Sequence, residues 1–433
     1  MADTLSAYSV YYYDYTTTPA TGRGMAGLIG DSGGASILAI PGLQSGLNGD
    51  PKVEGFSDPG GDLRLAVTDY VAGTPQPVSI YDPLTQVSLA TPTWSSVTNL
   101  YTLVRLGSYL YALDYDNARV VQIDPATYTQ TGKSLSLSSS GVPLPSGYTP
   151  YGQALIVVGG ELYGLFSFAD GTWANYANSM LVRFTIGGSG ITVGATDYNN
   201  ALAKNAFSLA AYGSDIYIAA IGGAQGSSGT PNPSSCVQKV AISGALSGAS
   251  VTPVLTQSDF AYEYRDISFD AGGNAYVLMG TYNSSWNLAG KLVKVTAFSP
   301  LASTDVDTFS TAPGYFWSAQ YTADNNRIWF ARGSAIRVYD ASAFATPAAT
   351  LTLSVNDPST NPGGLIETGN LYDSINDLTY IGAAGARTAL RGYRSPVQAS
   401  HTPRAQAARA IARGRPELSE EEWLAVEAAA AKP

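Results

Sequence analysis

Short stretches in which apolar and polar residues alternate recur along most of the chain, and this alternation predicts half-buried β-strands. The first strand of each copy follows a tight turn, and the copies are 46 to 59 residues apart: Leu63-Arg-Leu-Ala-Val, Tyr109-Leu-Tyr-Ala-Leu, Glu161-Leu-Tyr-Gly-Leu, Asp215-Ile-Tyr-Ile-Ala, Asn274-Ala-Tyr-Val-Leu, Arg327-Ile-Trp-Phe-Ala and Asp377-Leu-Thr-Tyr-Ile. A second strand follows after a variable loop: Val78-Ser-Ile, Val121-Gln-Ile, Val182-Arg-Phe, the irregular Val237-Gln-Lys-Val, Val293-Lys-Val, Ile336-Arg-Val and Leu390-Arg-Gly-Tyr.

A repeat of about 50 residues with room for four strands is typical of a β-propeller blade. We therefore predict an all-β fold in which residues 1–397 form one propeller of seven four-stranded blades, with six or eight blades as alternatives. The last copy lacks an outer strand, and the N-terminal segment Ser9-Val-Tyr-Tyr-Tyr-Asp-Tyr is expected to supply it and close the ring. A hairpin between Met25 and Ile40 is compatible with an eighth blade.

The C-terminal residues 398–433 differ in composition and predict a short helical, polar tail. Ser419 and Glu422 are spaced as a capping box, and Leu418 and Trp423 occupy the positions of a hydrophobic staple. Two interpretations remain open: a docking or export element, or a helical or disordered appendage of the propeller.

Two segments resemble known propeller repeats. Ile267-Ser-Phe-Asp-Ala-Gly-Gly-Asn-Ala-Tyr-Val is similar to NHL-repeat and gluconolactonase-like propellers, and Asp114-Tyr-Asp-Asn-Ala-Arg-Val-Val-Gln-Ile-Asp-Pro-Ala-Thr resembles the YVTN repeat of surface-layer propellers. Each resemblance covers one blade. Gluconolactonase-like propellers imply a divalent metal in the channel, and Asp270 is the one residue here that matches their pattern.

Composition removes several classes of function. The chain has one His (His401) and one Cys (Cys236), which argues against a His-based triad, a Cys/His zinc site and an internal disulfide. The net charge of −10 argues against nucleic acid as a partner, and no apolar run is long enough for a membrane-spanning helix. The sequence is rich in Tyr, Ser, Thr and Gly, which favours an extracytoplasmic protein. We expect that a signal peptide has been removed from its mature chain.

The two ends of the predicted blades differ. The loops that join the two paired strands of a blade open on one side of the ring, as do the connections from blade to blade. We call this side the long-loop face. The tight turns open on the opposite side, the tight-turn face. The long loops include Ser167 to Ser179 and Gly222 to Ser235. Aromatic residues on the long-loop face are candidate ligand-binding residues because they combine rigid apolar area with a polar tip: Tyr70, Trp94, Tyr115, Trp173, Tyr176, Tyr262, Tyr264, Tyr282, Trp286, Tyr315 and Trp317.

Candidate catalytic groups are few. Asp270 is a weak metal candidate, and its position in a Gly-Asn turn favours capping of that turn. Glu263, Tyr264, Arg265 and Asp266 are adjacent in sequence and are placed near the channel mouth by the predicted blade order.

These patterns favour a protein that binds a protein or a glycan through an aromatic long-loop face, without catalysis and without a cofactor. The first alternative is a metal-dependent hydrolase or lyase that acts on a sugar or lactone, with Ca²⁺ in the channel. The second is a structural surface-layer component. The sequence assigns neither the ligand nor the oligomeric state.

Overall fold

In a computed structural model of the protein, seven antiparallel sheets are arranged in a ring. The structure describes residues 4–14, 21–31, 37–47, 51–71, 74–226, 229–282, 288–312, 317–332, 335–352 and 374–383. The predicted C-terminal tail therefore lies outside the described residues, as does the segment that begins at Leu390.

The strands have the following bounds in chain order: β1 Thr4–Asp14, β2 Thr21–Asp31, β3 Ile37–Leu47, β4 Lys52–Ser57, β5 Leu63–Thr68, β6 Val78–Asp82, β7 Val87–Ala90, β8 Leu100–Leu106, β9 Tyr109–Asp114, β10 Arg119–Asp124, β11 Thr129–Ser136, β12 Thr149–Val158, β13 Glu161–Ala169, β14 Tyr176–Gly187, β15 Gly190–Thr192, β16 Tyr198–Lys204, β17 Ala206–Tyr212, β18 Asp215–Ala220, β19 Cys236–Ala241, β20 Val251–Thr256, β21 Tyr264–Phe269, β22 Ala275–Tyr282, β23 Leu288–Phe298, β24 Leu301–Ala312, β25 Trp317–Thr322, β26 Arg327–Arg332, β27 Ala335–Asp340, β28 Ala349–Thr352 and β29 Ser374–Ala383. The helices described are one 3₁₀ turn, Leu137–Ser139, and one short α-helix, α1, Gln257–Phe260. None of the helices in the described ranges is long and apolar enough to cross a membrane.

Each sheet is one blade of a propeller, which confirms the predicted all-β fold with seven four-stranded blades. Blades 1 to 6 are β4–β7, β8–β11, β12–β16, β17–β20, β21–β24 and β25–β28, and in blade 3 both β15 and β16 pair with β14 on its outer side. The first strand of each of these blades is innermost, because β4, β8, β12, β17, β21, β25 and β29 contact one another in turn around the ring.

Blade 7 closes the ring with strands from both ends of the chain, in the order β29-β1-β2-β3. The closure differs from the expected single outer strand: the N-terminal region supplies three strands, and the C-terminal strand β29 is the innermost one. The predicted hairpin from Met25 belongs to this blade as β2 and β3 and does not start an eighth blade. The Asp377 segment therefore lies in an innermost strand, whereas the six other copies of its pattern lie in second strands.

The hydrophobic core fills the spaces between neighbouring blades. Between blades 2 and 3, for example, Leu113 and Val120 pack with Phe166 and Val182, and similar clusters lie at the other junctions. Each blade has two apolar faces, so it buries them only by stacking on its neighbours, and alternate residues of the same strand serve two different junctions.

The direction of the innermost strands defines the two faces. In blades 1 to 6, each innermost strand starts at the long-loop face and ends at a tight turn. In blade 5, Asp270 closes this turn: its Oδ1 atom accepts the Asn274 N–H at 2.9 Å and its Oδ2 atom accepts the Asn274 side-chain amide at 2.7 Å. Asp58 makes the equivalent bond to the N–H of Asp62 in blade 1.

Candidate functional site

Four consecutive innermost strands carry the same irregularity near the long-loop face. In β8, β12, β17 and β21 a register shift brackets one extra residue: Tyr101, Gln153, Phe207 and Arg265. All four side chains are buried. Since a bulge bends the strand and re-aims the extra side chain, blades 2 to 5 each present one side chain of this kind at the same level of the ring.

Two residues before the bulge, blades 2, 4 and 5 also share a backbone hydrogen bond. The carbonyl oxygen of Asn99 accepts the N–H of Tyr115 at 2.9 Å, and that of Asn205 accepts the N–H of Ile221 at 3.1 Å. In blade 5 the Glu263 carbonyl accepts the N–H of Gly280 at 2.8 Å. Each bond ties the start of the innermost strand to the end of the second strand, so the bases of the long loops are fixed to the ring.

A continuous stack of aromatic rings crosses this region, and we call its members, Tyr101, Tyr115, Tyr151 and Trp173, the ring stack. The centroids of successive rings are 4.4, 5.0 and 4.3 Å apart, and Lys52 Nζ lies 5.2 Å from the Tyr101 centroid. Each pair of this kind contributes about 0.5–1.5 kcal/mol beyond the area it buries. The three tyrosines are buried, whereas Trp173 is partly exposed at the end of the stack.

Trp173 is held by a rigid turn in the long loop of blade 3. Asp170 Oδ1 accepts the Thr172 N–H, the Thr172 hydroxyl and the Ala174 N–H at 2.8 to 3.2 Å, and Asp170 Oδ2 accepts the Asn175 amide at 2.7 Å. These bonds outweigh desolvation and hold the pKa of Asp170 below its ordinary value. The turn keeps Trp173 at a φ of 61°, a conformation that is rare for a bulky residue and concentrates at functional sites.

A buried ion pair fixes the second long loop, from Gly222 to Ser235. Glu263 Oε1 accepts the N–H groups of Gly226 at 2.7 Å and Asn232 at 3.0 Å, and Glu263 Oε2 accepts Arg265 Nη2 at 2.5 Å. Arg265 Nη1 donates to Gln225 Oε1 at 2.9 Å. Burial raises the pKa of Glu263, and Arg265 and the two backbone donors oppose that rise.

Arg265 also interacts with two aromatic residues. Its guanidinium carbon lies 5.6 Å from the Tyr282 ring centroid, and its charge acts on the Tyr176 hydroxyl, which belongs to the strand that follows the Trp173 turn. Burial raises the pKa of Tyr176, so this hydroxyl stays protonated near neutral pH.

Asp266 lies next to this pair in sequence and has a different role in the structure. Its Oδ1 atom accepts the Ser208 hydroxyl at 2.6 Å and the Ile267 N–H at 2.8 Å, and its Oδ2 atom accepts the Ala319 N–H at 3.1 Å. It thereby bridges the innermost strands of blades 4, 5 and 6. Burial raises the pKa of Asp266 to about 7 against these hydrogen bonds. Glu263 and Asp266 thus have separate partners: Glu263 holds the second long loop, and Asp266 connects neighbouring blades.

Most aromatic residues predicted to form an exposed surface are buried. The buried members are Tyr70, Trp94, Tyr115, Tyr176, Tyr264 and Tyr282. Their polar tips are used inside the protein: the Trp94 indole donates to the Tyr128 carbonyl at 2.8 Å, and the Tyr264 hydroxyl donates to the Thr256 carbonyl at 2.7 Å. The reason is that the starts of the innermost strands and the ends of the second strands lie in the junctions between blades, where large rings fill the volume.

The remaining predicted residues divide into two groups. Trp173 and Tyr262 are partly exposed on the long-loop face. Trp286 and Tyr315 lie outside the described residues, and Trp317 begins β25, with its side chain also outside the described part.

The exposed large apolar side chains lie at the other end of the blades. Among the described residues they are Leu84 (53% exposed), Val87 (54%), Leu89 (43%), Tyr109 (39%), Tyr212 (37%) and Leu301 (38%). All are in, or within three residues of, a tight turn. The sequence signal for this exposure is a large residue directly beside the turn, as in Tyr212-Gly-Ser.

Asp270, the weak metal candidate, caps its turn with both carboxylate oxygens, as described above. Within the described residues, no group of three or more His, Cys, Asp or Glu side chains is placed to hold a metal ion. The single cysteine, Cys236, is buried, and burial raises the pKa of its thiol to about 11.

Comparison with known proteins supports the fold. No protein-family model matches the sequence, and no curated protein matches it. Among solved structures, a protein assigned as a 6-phosphogluconolactonase from Bacteroides uniformis is similar with a TM-score of 0.50 and 10% identity, over 81% of this chain and 99% of that one. A protein of unknown function from Desulfotomaculum acetoxidans has a TM-score of 0.46 and 10% identity, over 79% of this chain and 96% of that one. At such identity, the first likeness bears on the propeller fold alone.

Proposed function

We propose that this protein is a non-enzymatic recognition propeller that acts outside the cytoplasm and binds a glycan on its long-loop face. The observation that carries the proposal is Trp173: a partly exposed indole, fixed by the Asp170 turn and supported from behind by the buried Tyr151 ring. A rigid aromatic face loses little conformational entropy when it receives a ligand.

The surroundings of Trp173 favour a sugar over a protein surface. Its own loop exposes small and polar residues, among them Thr172, Ala174 and Asn175. None of the exposed large apolar side chains of the described residues lies on the long-loop face. Protein interfaces are usually centred on apolar and aromatic anchors, whereas a pyranose needs one ring to stack on and nearby hydrogen-bonding groups.

The second long loop presents two partly exposed polar residues on the same face, Gln225 and Asn232, and both are held in place. Gln225 Oε1 accepts Arg265 Nη1, and the Asn232 side-chain amide donates to the Ala224 carbonyl while its Oδ1 atom accepts the Ser234 N–H. The extracytoplasmic location is part of this proposal and is supported by the composition.

The test is a glycan array, followed by calorimetric titration of the best ligand into three variants. Trp173→Ala should weaken binding about tenfold or more, equivalent to ~1.4 kcal/mol, and Trp173→Phe should retain most of the affinity because it preserves a stacking ring. Tyr109→Ala removes a more accessible ring from the opposite face and should leave the affinity unchanged. The proposal is wrong if no glycan binds, or if Trp173→Ala binds the selected glycan as tightly as the unmodified protein.

A further inference from the structure

An aromatic cluster with two exposed ends lies on the tight-turn face at the junction of blades 4 and 5. The Tyr212 and Phe269 rings are stacked with centroids 5.4 Å apart, Tyr217 lies 4.7 Å from Phe269, and Phe298 lies 5.7 Å from Tyr217. Leu301 pairs with Phe298 across the adjoining turn and extends the patch outward. Tyr212 and Leu301 are each more than a third exposed. Tyr217 and Phe269 are buried, Phe298 is partly exposed, and Tyr212 and Leu301 are the exposed ends of the cluster. Exposed apolar groups that lie together in this way mark a candidate interaction surface.

The chain itself leaves the ring on this face. The innermost strand of blade 7, β29, runs antiparallel to β1 and ends at Ala383 opposite Thr4, at the tight-turn end of the blade. Residues 384–433 therefore start from the middle of the tight-turn face, and residues 384–417 are long enough to reach any blade on it.

The chemistry of this C-terminal segment complements the face. Residues 384–416 contain seven Arg and no Asp or Glu. Residues 384–433 hold eight Lys and Arg against five Glu, so the rest of the chain holds 15 Lys and Arg against 28 Asp and Glu. On the tight-turn face, the side chains of Asp62, Glu161 and Asp340 are 66%, 50% and 43% accessible. Each lies 3.3 to 3.6 Å from an arginine of its own blade, and its accessible part can also receive an arginine of the tail.

The last part of the segment also offers an apolar partner. The capping box at Ser419 predicts a helix, and Trp423, Leu424 and Glu427 follow within two turns of its start. Trp423 and Leu424 are adjacent in sequence, and they supply one aromatic and one aliphatic side chain to the predicted helix.

We propose that residues 384–433 fold back on the tight-turn face of the same molecule, with the Trp423–Leu424 side of the C-terminal helix covering the Tyr212–Leu301 patch. The arginines that precede the helix cross the rim of exposed carboxylates and set its direction. The tail is thus an internal partner of one face, and the glycan site on the opposite face does not depend on it.

The test is photo-crosslinking in the full-length protein. A cysteine introduced as Leu424→Cys carries a benzophenone maleimide; the native Cys236 is buried and its raised pKa disfavours the reactive thiolate, so labelling is selective. We expect crosslinks within one molecule to peptides that contain Tyr212 or Leu301. The double change Tyr212→Ser and Leu301→Ser should lower their yield about tenfold. Trp423→Ala should lower it as well, and this change leaves the sequence of the seven blades intact. Tyr109→Ser, on blade 2 of the same face, is the control and should not lower it.

Three outcomes would overturn the proposal: crosslinks confined to the long-loop face, crosslinks scattered without preference, or crosslinks only between molecules. The last would show that the patch receives a second copy of the chain. Circular dichroism of each variant separates a lost contact from a lost fold, and the Trp423→Ala result holds even where the patch variants do not fold.

Discussion

The long-loop face and the tight-turn face use aromatic residues in opposite ways. On the long-loop face, rings such as Tyr101 and Tyr151 are buried under loops that Asp170 and Glu263 hold in place, and only a few rings remain partly accessible. On the tight-turn face there are no such loops in the described residues, so rings beside the turns, such as Tyr109 and Tyr212, stay exposed.

This difference shows that loop length alone does not determine whether aromatic side chains are exposed. A long loop can cover rings as well as carry them, because its backbone needs hydrogen-bond partners and carboxylates inside the ring supply them. A short turn satisfies its own backbone, so the residue next to it projects into solvent. Exposure therefore follows from where the loop is anchored.

The largest effect is expected from removing a buried ring of the ring stack. Tyr151→Ala should lower the free energy of unfolding by about 3–5 kcal/mol, since a large side chain is removed from a packed core. Tyr109→Ala, on the tight-turn face, should change it by less than about 0.5 kcal/mol. Chemical denaturation measures both, and equal effects would contradict the difference between the faces.

The next effect concerns the anchor of the second long loop. Glu263→Gln should cost about 3 kcal/mol, because Arg265 would remain buried without a charged partner. The matched change on the tight-turn face, Asp215→Asn, breaks the accessible Lys239–Asp215 pair and should cost less than about 1 kcal/mol. A small effect of Glu263→Gln would mean that the loop is held by other contacts.

A smaller effect is the pH dependence of stability that Asp266 produces. Its folded-state pKa of about 7 is above that of the unfolded chain, so the folded state binds the proton more tightly. The stabilisation of the fold by protonated Asp266 is complete below the pKa of the unfolded chain and is lost as pH rises toward 7. The free energy of unfolding falls by at most about 1.4 kcal/mol per pH unit over this range.

Denaturation of Asp266→Asn and the unmodified protein between pH 5 and pH 8 measures this contribution as the difference in slope. Asp340, on the tight-turn face, is the control with the opposite sign: hydrogen bonds from Ser342 lower its pKa, so its contribution is lost as pH falls into the acid range. Identical slopes for Asp266→Asn and the unmodified protein would contradict the assigned role of Asp266.

Much of the fold could be predicted from the sequence because its signals are local. Period-two alternation and Gly-Asn turns occur within a few residues of the strands they specify, as in the segment from Asp270 to Val277. The ring closure was harder to predict from the sequence, because β29 and β1 are at opposite ends of the chain. Their pairing depends on which strand position in blade 7 each end occupies. The Asp377 segment matches the second-strand pattern, yet its partners make it an innermost strand.

The candidate site was less predictable, since it depends on contacts across blades. The bulges at Tyr101, Gln153, Phe207 and Arg265 become visible only in the pairing register. Glu263 anchors a loop more than thirty residues earlier in the chain, and no spacing rule relates the two. Trp173 was predicted as a binding residue from its position in a long loop, but its packing against Tyr151 is visible only in the structure.

The most direct test of the account is hydrogen exchange with and without the best glycan from the array. The account predicts that bound glycan slows exchange in the segments 167–179 and 222–235, which carry Trp173 and Gln225, and leaves the tight turns around Tyr109 and Tyr212 unchanged. Protection that is confined to the tight turns, with none in the two long loops, would contradict it.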